Sequence, residues 1–508
     1  MAKNYLFLIS SFIAGFSLMT VELISTRILA PYVGTSLYTW TSVIGVILFG
    51  ISIGSYFGGK LIDKYKSAKT IFYFFTLSSL STAFIPTLVA KTQFLVLVDF
   101  PIQIIIVLIS LALFFLPAVF IGAIYPALLK FYSEDISSIG KKSGGLSALW
   151  SVGSIFGVFL TGFYFIGYFG SNFTLFIIAA ILFINGLFFY FPKIKTLIVL
   201  IVILSGAIYL PQLVRGQSND IFSDESNYYN IRVIDANSDI FGKIRTLFLD
   251  FDSHSVEGLE KQSLNNHTEI YPVFSAFNPD IKEILVLGSG SGLMAKYLSK
   301  FYKDSRVTIV EIDPKVVKVA EEFFDLKSYP IKIVVSDARV FLAKNSEKYD
   351  LIVNDVYNSF ISVPWHLTTK EFNDLAKSRL NKGGIYAVNF ISALVGGNAD
   401  FFKSMRFTFQ RTFSNYQIFS FGFLPTKGQN IILVGIDDDI QLNPLGLKEK
   451  LKFLENGEFL SSVLMTKKFS DDNSIILTDN FAPVEKLMVP LINDYFLSYA
   501  KLYYPLLF

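Results

Sequence analysis

Residues Glu283–Gly292 read EILVLGSGSG, and Val307–Asp313 read VTIVEID. An apolar strand runs into a glycine loop, and a second strand then ends on an acidic residue, Glu311. An open parallel sheet holds a nucleoside with this spacing. Glycines let the backbone come close to the ligand, and the carboxylate takes the two ribose hydroxyls. Gly288, Gly290 and Gly292 are the candidate loop residues. Leu293 stands where the dinucleotide fingerprint continues, so its third glycine is misplaced and a nicotinamide cofactor fits poorly.

Outward from this loop the chain alternates strand and helix. Strand candidates are ILVLG, VTIVEID, IKIVVSD, YDLIVND and GGIYAVNF, with helices over Pro314–Phe324 and Thr369–Leu380. Two further strands, Tyr416–Phe421 and Asn430–Gly435, flank a Pro-Thr-Lys-Gly turn and predict a terminal antiparallel hairpin. The expectation is a doubly wound α/β sheet of the methyltransferase kind, with its chemistry at the carboxyl ends of the strands. Three acidic residues occupy successive strand ends. Glu311 suits the ribose and Asp337 the adenine amino group, which leaves Asp355 nearest the reacting centre. Either aspartate alone reads as a helix cap or turn residue, but three in series favour one ligand crevice. Before the sheet, Glu225–Asp250 predicts a small β region, YNIRVID turning into FGKIRTLFLD.

The first two hundred residues are of another kind. The 508-residue chain is 52% hydrophobic, and the excess lies before about Val214. Seven apolar runs of bilayer-crossing length are legible: Leu6–Ala30, Ser36–Gly58, Thr70–Val89, Ile102–Leu129, Gly144–Tyr168, Phe173–Phe191 and Thr196–Val214. Gly50, Gly54 and Gly58, and again Gly153 and Gly157, recur at four-residue spacing, which brings helix backbones together. Pro117 and Pro126 predict a kink in the fourth run. Glu22 and Arg27 are charged near the end of the first, where mutual pairing is favoured over a transport role. The division expected is a seven-span membrane domain over 1–215, a β region and linker over 216–280, a nucleotide-binding transferase domain over 281–440 and an extension over 441–508.

Orientation carries a conflict. Lys60, Lys64, Lys66, Lys69, Lys130, Lys141, Lys142, Lys193 and Lys195 fall in alternate loops, which the positive-inside rule makes cytoplasmic. Seven spans then place the second half outside, where nucleoside cofactors are scarce: either the rule holds and that half is extracytoplasmic, or one span is miscounted. A net charge of +3 and no basic stripe argue against nucleic acid. With no cysteine and three histidines, thiolate chemistry is excluded and no metal-ligand spacing is formed. His254 reads as a loop histidine, and Trp365 reads equally as a lid or a packing aromatic. The tail FLSYAKLYYPLLF suits either the sheet or a membrane interface.

Two resemblances add to this reading. GSYFGGKLIDKYKSAK, after the second run, looks like the loop joining the second and third helices of major-facilitator transporters, although no second half of that fold follows. More broadly, residues 225–390 resemble the spermidine synthase (polyamine aminopropyltransferase) family in its membrane-fused branch. The resemblance rests on the strand pair, His267, VEIDP, SDARVFL, YDLIVND, HLTTKEF, the KGG turn and a closing LTDNFAPVE at Leu477–Glu485. It implies a multi-pass cell-membrane enzyme that moves a propylamine group from decarboxylated S-adenosylmethionine to a small amine such as putrescine, without a metal. By the same resemblance Asp355 is the general base, Glu311, Asp337 and Ala338 bind the nucleoside, and His267 lines the amine channel. Ser291 and Asn358 stand where the family carries aspartates that hold a dication, which puts putrescine in doubt. Another AdoMet-dependent transferase acting near the membrane, or a non-catalytic nucleoside-binding module, is the alternative. The partners expected are a lipid bilayer and the amine, with a second copy of the chain as a candidate.

Overall fold

The computed structural model of the chain describes residues 2–89, 100–133, 138–215, 220–238, 242–250, 252–259, 266–288, 290–356, 363–436, 444–452, 454, 456–466 and 468–503. Two compact units emerge: Met1–Ser218 with Asp224–Tyr229 and Ala500–Phe508, and Asn219–Ser223 with Asn230–Tyr499.

The first unit is helical, with α1 (Ala2–Val33), α2 (Leu37–Tyr65), α3 (Ala68–Val89), α4 (Ile102–Tyr132), α5 (Ile139–Leu160), α6 (Ile166–Leu187) and α7 (Ile194–Arg215). Among the described residues, five helical runs are long and apolar enough to cross a membrane, and Ile194–Ala207 is a shorter apolar helix. The difference from the seven runs in sequence lies partly in Ile139–Leu187, a continuous stretch of 49 residues. Straight, it would span roughly 70 Å, more than twice a bilayer core. Gly170, at φ 72° and ψ 167°, leaves the helical conformation and divides it. A π turn at Thr161–Phe165 lies just before that break. Pro117 and Pro126 both sit inside α4.

Glycine rows set the helix contacts. A methyl group on Gly54 would lie 2.0 Å from the Val119 carbonyl oxygen, and one on Gly58 would lie 2.6 Å from Ala123 Cβ. Gly153 and Gly157 stand in the same relation to Phe12 and Phe16, at 2.0 and 2.5 Å from their carbonyl oxygens. Helices α2 and α4, and likewise α1 and α5, therefore meet backbone to backbone, as small-residue rows allow.

Arg27 does not pair with Glu22. Its guanidinium donates to the Tyr228 carbonyl at 2.8 Å and to that of Ser226, with Glu225 Oε1 at 3.6 Å from Nε. The Glu225 carboxylate in turn accepts from the Ser171 amide at 2.8 Å and from its hydroxyl at 2.5 Å. A long side chain can reach several acceptors, and carbonyls converging with a carboxylate satisfy a guanidinium better than one glutamate on its own helix.

The second unit holds a seven-stranded sheet and all of a four-stranded one except the end of its first strand. Strands β1 (Asp220–Glu225), β2 (Asn230–Ser238), β3 (Gly242–Leu249) and β4 (Asp252–Gly258) form the smaller one in sequence order. After α8 (Val273–Phe277) come β5 (Glu283–Leu287), α9 (Leu293–Phe301), β6 (Arg306–Glu311), α10 (Pro314–Phe323), β7 (Ile331–Val335), α11 (Ala338–Lys344) and β8 (Tyr349–Asn354). They are followed by α12 (Lys370–Ser378), β9 (Leu380–Ser392), α13 (Asp400–Phe409), β10 (Tyr416–Ser420) and β11 (Gln429–Ile436). Helices α14 (Pro444–Leu451), α15 (Gly457–Val463) and α16 (Val484–Tyr503) come after β11.

The seven-stranded sheet runs β10-β11-β9-β8-β5-β6-β7, with β11 antiparallel to both neighbours and the rest of the ladder parallel. Its central strands are apolar on both faces because both are covered. One face buries Ile284, Val286, Leu351, Val353, Ile385, Ala387, Ile432 and Val434. The other face buries Tyr386 and Phe390 with a block of phenylalanines that includes Phe372, Phe401 and Phe409. Strand β5 continues to β6 on one side, and the chain later returns to β8 on the other. The order therefore reverses between β5 and β8, which opens a crevice at their carboxyl ends.

The glycine contacts give a first expectation. Gly54→Leu should destabilise the helical unit by about 3 kcal/mol through overpacking. Gly45→Leu, on the same helix with nothing within 4 Å of the added carbon, should be silent. Thermal unfolding followed by helical circular dichroism separates the two, and equal midpoints would refute the backbone contact.

Candidate active site

Backbone hydrogen bonds join the strand ends that carry the acidic residues. The Asp355 amide donates to Leu287 O, the Gly288 amide to Val310 O and the Ser336 amide to Glu311 O, each at 2.9 Å. The loop between β5 and α9 needs its glycines. Gly288, Gly290 and Gly292 have φ of 85°, 51° and 80°, in the left-handed region that side chains disfavour. A methyl group on Gly288 would also fall 2.5 Å from the Asp355 carbonyl oxygen. The loop is thus closed against the end of β8, with Asp355 directly beside it.

Each predicted residue can now be placed. Asp355 follows β8, and its Oδ1 accepts from Asn389 Nδ2 of β9 at 2.8 Å. Glu311 is buried at the end of β6, and its Oε1 accepts from the Asp313 amide at 3.0 Å. Asp337 is the N-cap of α11, accepting from the Val340 amide at 2.9 Å. The helix-cap role is therefore present, and it uses Oδ1. Oδ2 lies 3.7 Å from His366 Nε2. Ala338, the first residue of α11, is buried. Asn358, and the side chain of His267 in the Asn266–Ile270 turn, lie outside the described residues.

Ser291 is fully buried, and its contacts come from a strand the sequence did not suggest. Strand β4 brings Ser255 and Glu257 against the glycine loop. The Ser291 amide donates to Ser255 Oγ at 3.3 Å, and its hydroxyl donates to Glu257 Oε1 at 3.0 Å. Lys296 of α9 then closes on the same carboxylate, donating to Oε1 at 2.7 Å and Oε2 at 2.9 Å, and to the Phe324 carbonyl at 2.8 Å. A second fastening is Arg245 of β3, which grips Asp235 with two bonds of 2.7 and 2.8 Å and donates to Phe323 O at 2.8 Å.

His254 also belongs to β4 and is not a loop residue. Its Nδ1 lies 3.3 Å from the Asp252 carbonyl oxygen, and its buried Nε2 has no hydrogen-bond partner among the described residues. Burial pushes its pKa below the ordinary 6.5, against the opposing pull of the Asp252 carbonyl and the negative charge of Asp355. Sequence reasoning missed Asn389, Glu257 and Lys296 as well. Lys296 alone left a signal, as a lone charge in LMAKYL one turn after the glycine loop.

Trp365 is 48% exposed, which argues against the packing role. The closing motif has a structural task. Asp479 Oδ1 accepts from Arg339 Nη1 and from the Thr369 hydroxyl, each at 2.8 Å, and so ties α11 to the start of α12. Those bonds, the arginine's first, hold the Asp479 carboxyl below the usual carboxylate range.

Comparison with known proteins adds a family to this fold. The spermine/spermidine synthase domain matches residues 265–439. A polyamine aminopropyltransferase of Lachnospira eligens is 30% identical over 220 residues, which is 42% of this chain and 74% of the relative. One of Vibrio vulnificus is 27% identical over 223 residues, covering 42% and 71%. A probable polyamine aminopropyl transferase of Bifidobacterium longum is 29% identical over 217 residues, covering 40% and 48%. All of these matches leave more than half of the chain uncovered. Within the part they span, the chain belongs to the spermine/spermidine synthase family and is an aminopropyltransferase.

Proposed function

We propose that this aminopropyltransferase is a multi-pass membrane protein of the family's membrane-fused branch, and that it transfers a propylamine group from decarboxylated S-adenosylmethionine to an amine. The observation that carries the catalytic part is the seat of Asp355 beside the glycine loop at the sheet's reversal point. Five apolar helical runs of spanning length support the membrane part.

In this reading Gly288, Gly290 and Gly292 let the nucleoside approach the backbone. Glu311 takes the ribose hydroxyls, and Asp337 with Ala338 flanks the base. The sulfonium supplies a ready leaving group: the amine nitrogen forms a bond to the adjacent methylene carbon as the carbon–sulfur bond breaks, releasing methylthioadenosine. The protein's share is to orient the amine and remove its proton, since a protonated amine has no lone pair to attack with. Asn389 holds one oxygen of Asp355, which fixes the carboxylate plane and leaves the other oxygen to take that proton. His254, kept neutral by burial, adds no competing positive charge beside it.

Three tests follow from these assignments. Asp355→Asn should lower kcat by about 10²–10⁴-fold while calorimetry finds nucleoside affinity unchanged; retained turnover would remove Asp355 from its role. Full-length protein should stay with the membrane pellet after alkaline carbonate washing, and release into the supernatant would contradict the membrane reading. The third concerns His254, whose folded pKa lies below its unfolded value of about 6.5. Above that pH both states are neutral and no linkage arises. Below it the unfolded chain takes up a proton that the folded chain refuses, so stability falls with pH, by at most about 1.4 kcal/mol per unit. Denaturation of the second unit's near-ultraviolet signal should show this fall, and His254→Gln should lessen it.

A further inference from the structure

A cavity of about 310 Å³ lies at the carboxyl end of β9, walled in part by Ile391, Leu491 and Tyr495. Its position follows from strand register. Strand β8 ends at Asn354, paired with Val388, whereas β9 runs on to Ser392. Asn389, which binds Asp355, and Ile391 are two residues apart and so share a face, with Ile391 about 7 Å further out. Asn430, also at the cavity, pairs directly with Ile391. The cavity thus borders the same face of β9 as Asn389, the residue that holds Asp355, at the strand end where ligands of open α/β sheets are held.

Its chemistry is largely apolar, and its charges are already committed. Lys427 donates to both oxygens of Asp494, at 2.6 and 2.9 Å. Gln429 is likewise engaged, donating to the Leu424 carbonyl at 3.0 Å and accepting from the Ser420 hydroxyl at 2.5 Å. A second ammonium entering here would meet the Lys427 cation and a carboxylate already neutralised. On the glycine-loop side the nearby carboxylate, Glu257, is held by Lys296 in the same way. An uncharged chain meets none of these penalties and gains by burial. Leu491, Asp494 and Tyr495 belong to α16, so this wall comes from beyond the family match at 265–439.

We propose that this cavity is the acceptor subsite, and that it selects a primary monoamine with an apolar tail over a diamine. The proposal rests on the reading of Asp355 as the base in aminopropyl transfer.

The test uses the full-length protein with saturating decarboxylated S-adenosylmethionine, a series of n-alkylamines from propyl to octyl and the α,ω-diamines of matching length, with methylthioadenosine measured. For monoamines kcat/KM should rise about fourfold per methylene until the cavity is full. Each should exceed its diamine by at least about tenfold. Leu491→Trp should flatten the length dependence, and Leu491→Ala should shift the optimum to longer amines, a gain that an unfolded variant cannot produce. Diamines preferred at every length, or a length profile identical in both variants and the parent, would overturn the subsite while leaving aminopropyl transfer in place. No methylthioadenosine with any amine would overturn the reading of Asp355 and the subsite together.

Discussion

The ion pair of buried Lys296 with half-buried Glu257 is the constraint on which the site's construction depends. An ion pair removed from water repays its desolvation only when its geometry is good and its remaining hydrogen-bonding groups are satisfied. Here both carboxylate oxygens accept from the ammonium, one also accepts the Ser291 hydroxyl, and the ammonium donates again to the Phe324 carbonyl. The pair links β4 of the small sheet, the glycine loop and the first turn of α9. With Arg245 holding Asp235 and the Phe323 carbonyl, it presses one sheet against the ligand end of the other. His254 is placed by the same strand, so its proximity to Asp355 is a by-product of this fastening.

Much of the larger sheet was legible because its central strands are buried on both faces and read as apolar runs ended by glycine or an acid. Strand β4, reading DSHSVEG, carries no such pattern. It exists because β3 supplies its ladder partners and because its polar side chains find partners in the glycine loop, information held elsewhere in the chain. His254 looked like a loop residue for the same reason. Asn389 was hidden in an apolar strand, since only the register of β9 against β8 shows it next to Asp355. Asp337 illustrates a limit of another kind. A strand-end acid that begins a helix can cap it and still present its second oxygen, so the two readings were never exclusive.

In the helical unit, period and length sufficed to find the helices but not their partners. The rows at Gly50, Gly54 and Gly58 and at Gly153 and Gly157 announce close packing, whereas the opposing helices, α4 and α1, are set by the fold and carry no matching row of glycines. Charged residues were least legible of all. Spacing along α1 favours Glu22 as the partner of Arg27, yet its acceptors stand some two hundred positions away along the chain.

That last contact bears on how the chain can be cut. Asp224–Tyr229 belongs to the helical unit, although the residues on either side of it belong to the other. The partition is interleaved along the chain, and no single peptide bond separates the two parts. A fragment begun just after α7 would keep Glu225 but lose Arg27 and Ser171, exposing a carboxylate that normally sits in a polar clasp. Begun after Tyr229 instead, it would forfeit β1 and leave β2 as a bare sheet edge, open to pairing with other chains.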